Sequence, residues 1–304
     1  MTDYVLGINT CFAVKRWPRA EEWARVVRED LDLDLVQHSL DLVALDGPAS
    51  LRRRQAEEVA GACRAFGLEV HSTFSGLAAY SSNLLLDPDP DVRAQAERWY
   101  RRAIAFTAEA GGRATGGHVG AFSVADWQDI ERRSELEDGL RRALRRLAAV
   151  AWRAGLEALY VENLAAAREP STMEGIQRLL TQGDDHHVPV ALCLDVGHQC
   201  VPGTSGPERD PYAWLERMGS RAPVVQLQQS DAKADHHWPF TTASNRAGRI
   251  DPDRVLVALD RSWATKIVLI LKIIPPFEQD DAQVLEDLVE SVACWRDALR
   301  RHGP

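Results

Sequence analysis

The chain has 304 residues, 45% of them hydrophobic and 27% charged, with a formal net charge of −9. That length and composition suit one large α/β barrel or two small domains. The acidic balance argues against a nucleic-acid or anionic-membrane partner, and no apolar run approaches the ~20 residues of a membrane span.

In chain order, short and mostly apolar segments read as strands at Tyr4–Asn9, Leu33–Ser39, Leu68–Phe74, Ala114–Gly120, Ala158–Asn163, Val190–Asp195, Pro223–Gln228 and Lys266–Ile273. Segments of this kind are typical of strands buried on both faces. Amphipathic stretches with helical spacing alternate with them, at Trp17–Glu29, Ser50–Phe66, Pro90–Ala110, Ser134–Ala154, Ser171–Leu180, Asp210–Met218, Asp251–Ser262 and Asp280–Arg301. Ser50, the DPDPD run before Val92, Ser171 and Asp251-Pro252 suit helix starts.

No linker or low-complexity segment divides residues 1–304, so one domain is expected. Eight βα units favour a single (β/α)₈ TIM barrel, an α/β fold, over a doubly wound sheet. No GxGxxG follows the first strand, and GGRATGGHVG lies before and within the fourth, so a dinucleotide-binding fold is not indicated. The five cysteines are widely spaced without a CxxC pair, which fits a reducing cytoplasm. The chain passes from Met1 almost directly into a strand, without the basic segment and apolar core of a signal peptide. Arginine clusters at Arg52–Arg54 and Arg141–Arg146 sit among acids and read as solvated helix faces.

The strands share an apolar body and polar residues, most of them at the strand's end. These are Asn9, then Gln37 and Ser39, His71, His118, Glu162-Asn163, Asp195 with His198, Gln226 and Gln228, and Lys272. In a barrel the C-terminal strand ends meet at one mouth, where chemistry is carried out. Singly, His71 reads as a structural histidine and Asn9 as a turn cap; together the set points to a polar ligand site. Lys272 is the most unusual member, because a cation near the end of an apolar strand is costly unless paired. Glu162 and Asp195 are its expected partners. Asp231, His236, His237 and Trp238 are expected to form a loop over the mouth, with Trp17 and Phe240 as apolar walls or packing residues.

These residues resemble the xylose-isomerase-like barrel superfamily of sugar-phosphate isomerases and epimerases, over essentially the whole chain. VENL (161–164) and LDVGH (194–198) resemble its fifth- and sixth-strand motifs, and the interval from Glu162 to Asp195 looks like that of ketose 3-epimerases. INTCFAVKRWP (8–18), QLQQSD (226–231), HWPFT (237–241) and IIPPFE (273–278) look like a branch acting on oxidised or unusual sugars. The resemblance implies a Mn²⁺-type ion held by Glu, Asp, His and Glu, and proton transfer through an enediolate. Glu162 and Asp195 match that set. Gln226, or Gln228 one register along, stands for the histidine, and Lys272 for the last glutamate. If a metal binds through the implied set, its ligands are Glu162, Asp195 and Gln226.

Two carboxylates and an amide bind a divalent ion weakly, and an ammonium repels it, so metal-independent chemistry is expected, with no cofactor. Glu162 then serves as proton shuttle and Lys272, beside Asp195, as an ammonium that stabilises the enolate. An imine at Lys272 needs a neutral amine, which two nearby carboxylates disfavour. His71, His118, His198, Gln226, Gln228, Asn9, Trp17, His237 and Trp238 are the candidate substrate contacts. The alternatives are a metal-dependent isomerase, epimerase or oxo-sugar lyase with His198 or Gln228 as substitute ligand, and a silent barrel acting as binding module or partner subunit. No Ser/Gly-rich anion nest follows the seventh or eighth strand, which leans against a phosphate. A small sugar-like substrate is the expected partner, with a homodimer as default.

Overall fold

The computed structural model describes residues 2–303. Its strands close into a barrel in chain order. They are β1 (Asp3–Asn9), β2 (Leu35–Ser39), β3 (Glu69–Phe74), β4 (Ala114–Gly117), β5 (Ala158–Glu162), β6 (Val190–Asp195), β7 (Val224–Leu227) and β8 (Lys266–Leu271). Every residue of β2, β4, β5 and β7 is buried. Such strands have no water for their backbone groups and satisfy them by pairing on both sides, which a closed parallel barrel provides.

The eight expected helices are present as α1 (Ala20–Arg25), α2 (Ala49–Phe66), α3 (Pro90–Glu109), α5 (Ile130–Arg153), α6 (Met173–Leu179), α7 (Pro211–Met218), α9 (Pro252–Arg261) and α10 (Asp281–His302). Two short helices, α4 (Val124–Gln128) and α8 (Thr242–Ala247), were not expected. Asp89 and Asp251 cap α3 and α9, each just before a proline. One expected start is corrected: Thr172, not Ser171, accepts the Gly175 N–H at the start of α6. Ser50 lies in the first turn of α2, as expected. The stretch from Trp17 to Glu29 is not one helix, because α1 passes into a π-helical turn at Val26–Asp30. No described helix is long and apolar enough to cross a membrane.

Contacts group the chain into two compact units. One comprises the chain up to Gln37, Ala62–Glu69 and everything from Cys193. In it β1 pairs with β8 from Asp3↔Lys266 to Ile8↔Leu271, and with β2 at Asn9↔Gln37. β7 pairs with β6 at Asp195↔Gln226 and with β8 at Leu227↔Leu271. These registers set the polar ends of β1, β2, β6 and β7 side by side. Phe240 meets Trp295 of α10 edge to face at 5.3 Å, so Phe240 is a packing residue.

The other unit comprises His38–Gly61 and Val70–Leu192. Leu136, Leu140, Leu144 and Leu147 form one stripe of α5 and pack with Tyr100 and Ile104 of α3 and Leu159 and Val161 of β5. β4 stops at Gly117, short of the expected Gly120. Gly117 has φ 132°, and a Cβ there would lie 1.9 Å from Ser75 Oγ. That close approach lets Ser75 Oγ accept the His118 N–H at 2.8 Å.

His38 of β2 is buried against Phe106 at 6.0 Å, and burial lowers its pKa from 6.5 to about 4. The unfolded chain takes up this proton at the ordinary value and the folded chain does not. His38 therefore leaves the fold at full stability above 6.5, and stability is lost as pH falls toward 4, by on the order of 3 kcal/mol. Urea unfolding of wild type and His38→Asn between pH 7.5 and 4.5 should show a flatter pH dependence in the variant. Equal slopes would refute the assignment.

Candidate active site

In the unit that carries β6, β7 and β8, Asp195 ends its strand fully buried. Its Oδ1 accepts the Gly197 N–H at 2.8 Å and the Gln228 Nε2–H at 2.9 Å. Its Oδ2 lies 3.3 Å from Lys272 Nζ. β8 ends one residue before Lys272, a small correction to the expected strand, yet the Lys272 N–H still donates to the Leu227 carbonyl at 2.8 Å. The side chain thus leaves a backbone still held by the sheet, and it is buried. Burial pushes the Asp195 carboxyl up, but the charges of His198, Lys272 and His237 outweigh it and hold it below the ordinary carboxylate range.

The residues after β7 fold back. Gln229 and Trp238 exchange backbone hydrogen bonds of 2.9 and 3.2 Å as an antiparallel bridge. This returns His237 to the end of β7, where its N–H donates to Gln228 Oε1 at 2.6 Å. Asp235, a quarter exposed, comes with it and lies 3.2 Å from His237 Nε2 and 3.3 Å from His198 Nε2. Gln228 Nε2 also donates to Asp235 Oδ1 at 2.9 Å, so one amide joins the two carboxylates. Gly197 is required here, since a Cβ would lie 2.2 Å from Gln228 Cδ. The Cys200 thiol is pushed up to about 11 by burial and then by Asp235 and Asp195, which removes it as a nucleophile.

Asn9, Gln37 and Gln226 form an amide cluster. Asn9 Nδ2 and Gln226 Nε2 both donate to Gln37 Oε1, at 2.8 and 2.6 Å. Asn9 also caps its turn through the Cys11 N–H. Gln226 Oε1 is buried without a hydrogen-bond partner among the described residues. Trp17 is half-buried, edge-on to Phe12 at 6.0 Å. Trp238 stacks on His236 at 3.9 Å, and His236 pairs with Asp231 at 2.9 Å.

In the unit that carries β3, β4 and β5, Glu162 ends β5 fully buried and its Oε2 accepts the Tyr80 hydroxyl at 2.7 Å. The Tyr80 ring lies parallel to His118 at 4.7 Å, and His118 Nε2 lies 4.0 Å from Glu169 Oε1. Tyr100 donates to the His118 carbonyl, and burial, then the charge of Glu162, raise its pKa. His71 lies three residues before the end of β3, half-buried and stacked on Tyr160 at 6.3 Å, rather than at the strand's end. Tyr80, Glu169 and Asp235 were not expected. Tyr80 lies in a short 3₁₀ turn, Leu77–Ser81, and Glu169 and Asp235 in loops, and no periodic pattern marks them.

The ion implied by the resemblance does not fit the donor set in the first of these units. Gln226 turns its amide N–H to Gln37, and an ammonium rather than a carboxylate faces Asp195 from the β8 position. The set of metal-ligating side chains that does converge among the described residues is Asp195, His198 and His237.

The chain matches the family described as xylose isomerase-like TIM barrel over residues 29–292. It is 28% identical over 295 residues to the D-erythrulose 1-phosphate 3-epimerase of Brucella abortus (strain 2308), covering 95% of this chain and 94% of that protein. It superposes with a TM-score of 0.89 and 36% identity on a protein of Rhodospirillum rubrum provisionally named a xylose isomerase, over 97% of this chain and 99% of that one. With a D-psicose 3-epimerase of Clostridium cellulolyticum, solved with D-tagatose, it shares the fold at a TM-score of 0.68 and 15% identity, over 97% and 99%.

Proposed function

The chain belongs to the xylose isomerase-like TIM barrel family, and from that premise we propose that it epimerises a short ketose without a metal ion in the reaction. The observation that carries this reading is the buried contact of 3.3 Å between Lys272 Nζ and Asp195 Oδ2. It supports a lysine acting where the resemblance implies a metal-binding carboxylate. Glu162 takes the proton from the carbon beside the carbonyl; the electron pair of that C–H bond forms the carbon–carbon double bond of the enediolate, and the carbonyl π pair moves to oxygen. The Lys272 ammonium donates to the developing enediolate oxygen, a charge stabilisation of the oxyanion-hole kind. Delivery of a solvent proton to the opposite face of the same carbon gives the epimer; delivery to the former carbonyl carbon would move the carbonyl one carbon along and give an isomeric ketose. The Tyr80 hydroxyl holds the Glu162 carboxylate in one orientation. The Gln226 acceptor and the amides around it suit substrate hydroxyls.

The name of the Brucella relative supports a ketose 1-phosphate as substrate, although no anion nest stands out in the sequence. Chelator-treated protein should be incubated in D₂O with D-erythrulose 1-phosphate and with D-erythrulose. We expect epimerisation with one deuterium at the inverted carbon and an unchanged rate in chelator. Complete loss of activity in chelator, restored by Mn²⁺, would overturn the metal-independent mechanism, and absence of exchange with either compound would overturn the substrate class.

A further inference from the structure

A cavity of about 350 Å³ is lined by the first turns of α5, the loop after β5 and α6, all within the unit that carries β3, β4 and β5. Leu86, Phe122, Leu140 and Leu179 line it and are buried. Ile130 also lines it and is 72% exposed, an apolar side chain left largely in solvent. Small-ligand pockets of ~300–1,000 Å³ commonly pair such an apolar lining with a few placed polar groups.

The second observation is the charge left unmatched on α5. Arg133 lies over the Trp127 ring, its guanidinium carbon 4.9 Å from the centroid. No carboxylate pairs with it among the described residues, although Glu137 stands one helical turn along. An arginine four residues before a glutamate is the weaker order of that pair, and the N-terminal turn of a helix favours acids over cations. Arg133, the fourth residue of α5, is thus poorly served by its own helix and open to an anion. Glu137 likewise has no cation partner among the described residues. The other charges lining the cavity are engaged. Arg141 pairs with Asp138, Arg178 with Glu174 at 3.4 Å, and Glu169 Oε1 lies 4.0 Å from His118 Nε2. The cavity therefore offers one positive and one negative group, a helical turn apart, beside an apolar lining.

We propose that this cavity binds a free α-amino acid with a large apolar side chain. The ligand's carboxylate meets the Arg133 guanidinium, whose planar fork suits it. The ligand's ammonium meets Glu137, and its side chain rests on the apolar lining. Residues four apart on a helix have Cβ atoms ~5–6 Å apart, a span that two long side chains close onto the two charges of one zwitterion. A simple carboxylic acid would leave Glu137 unmatched, and a simple amine would leave Arg133 so. The site shares no residue with Glu162, Asp195, Gln226 and Lys272, and it does not depend on the reaction assigned to them.

The test is titration calorimetry of the full-length protein with L-leucine, L-phenylalanine, hydrocinnamate and phenethylamine. The last two are phenylalanine without its ammonium and without its carboxylate. We expect one molecule of either amino acid bound per chain. Both analogues should bind at least about tenfold more weakly than phenylalanine, the usual loss when a charge-assisted hydrogen bond goes unmade. Arg133→Gln should weaken phenylalanine by a similar factor and leave phenethylamine unchanged. Glu137→Gln should weaken phenylalanine and leave hydrocinnamate unchanged. Arg217→Gln, on the exposed surface of α7, should alter none of them. Circular dichroism of the variants controls for misfolding, and the comparison of compounds on wild type stands independently of any variant. No saturable binding of either amino acid would overturn the proposal. So would an analogue that binds as tightly as phenylalanine, or phenylalanine binding unaffected in both folded variants.

Discussion

Lys272→Met is expected to destabilise the protein by about 3–5 kcal/mol and to remove turnover. Those figures apply when one partner of a buried ion pair is deleted and the other charge stays behind. Here the charge left behind is Asp195, fully buried. Its remaining partners are the Gly197 N–H, the Gln228 amide and the His198 ring, which places the cost toward the lower end. The pH dependence has a definite sign. Asp195 is held below the ordinary carboxylate range, so its contribution is complete above the unfolded value of ~3.9 and is lost as pH falls through the folded one. The gap between wild type and variant should therefore be widest near neutrality and close in acid. Urea unfolding at pH 7 and pH 3.5 checks this, and a gap that widens in acid would contradict it. Lys272→Arg separates the two chemical roles. A residual rate with arginine supports electrostatic stabilisation, because arginine keeps the charge and cannot form an imine. Borohydride treatment with substrate should add no mass at Lys272.

Glu162→Gln is expected to lower turnover by about 10²–10⁴, the usual range for loss of a positioned acid–base group. The amide has nearly the shape of the carboxylate, and its oxygen can still accept the Tyr80 hydroxyl, so melting should change little. Solvent deuterium exchange at the carbon beside the carbonyl should fall with turnover, since both need the same proton abstraction. A variant that exchanges at the wild-type rate would assign the base elsewhere. One that leaves every measurable property unchanged would support a silent binding barrel.

The eight strands were legible because most are short apolar runs, and β2, β4, β5 and β7 are buried along their whole length. Glu162 and Asp195 were legible for a related reason: each is the first acid after such a run, and position along the strand determines that it stands at the end. His71 shows the limit of that argument. It lies within a strand but three residues early, and alternation says which face a side chain takes, not how far along the barrel it stands. The loops were less legible. His237 depends on a bridge between Gln229 and Trp238, and Tyr80 on a hydroxyl that reaches Glu162 across 82 positions of chain. Neither contact leaves a periodic trace. The short helices α4 and α8 lie inside loops for the same reason, and Thr172 took the cap from Ser171 by one position of loop geometry.

The bridge between Gln229 and Trp238 has a consequence for how such a site can change over evolution. His237 owes its place to the number of residues between two bridge partners, not to a strand register shared with neighbours. Insertion or deletion of a single residue between Ser230 and Asp235 would carry the imidazole away or bring Trp238 in its stead, while the barrel below kept every strand pair. Chemistry at this end of β7 can thus diverge through loop length alone. Relatives with an unaltered barrel and a longer or shorter segment here are expected to differ in what they catalyse before they differ in how they fold.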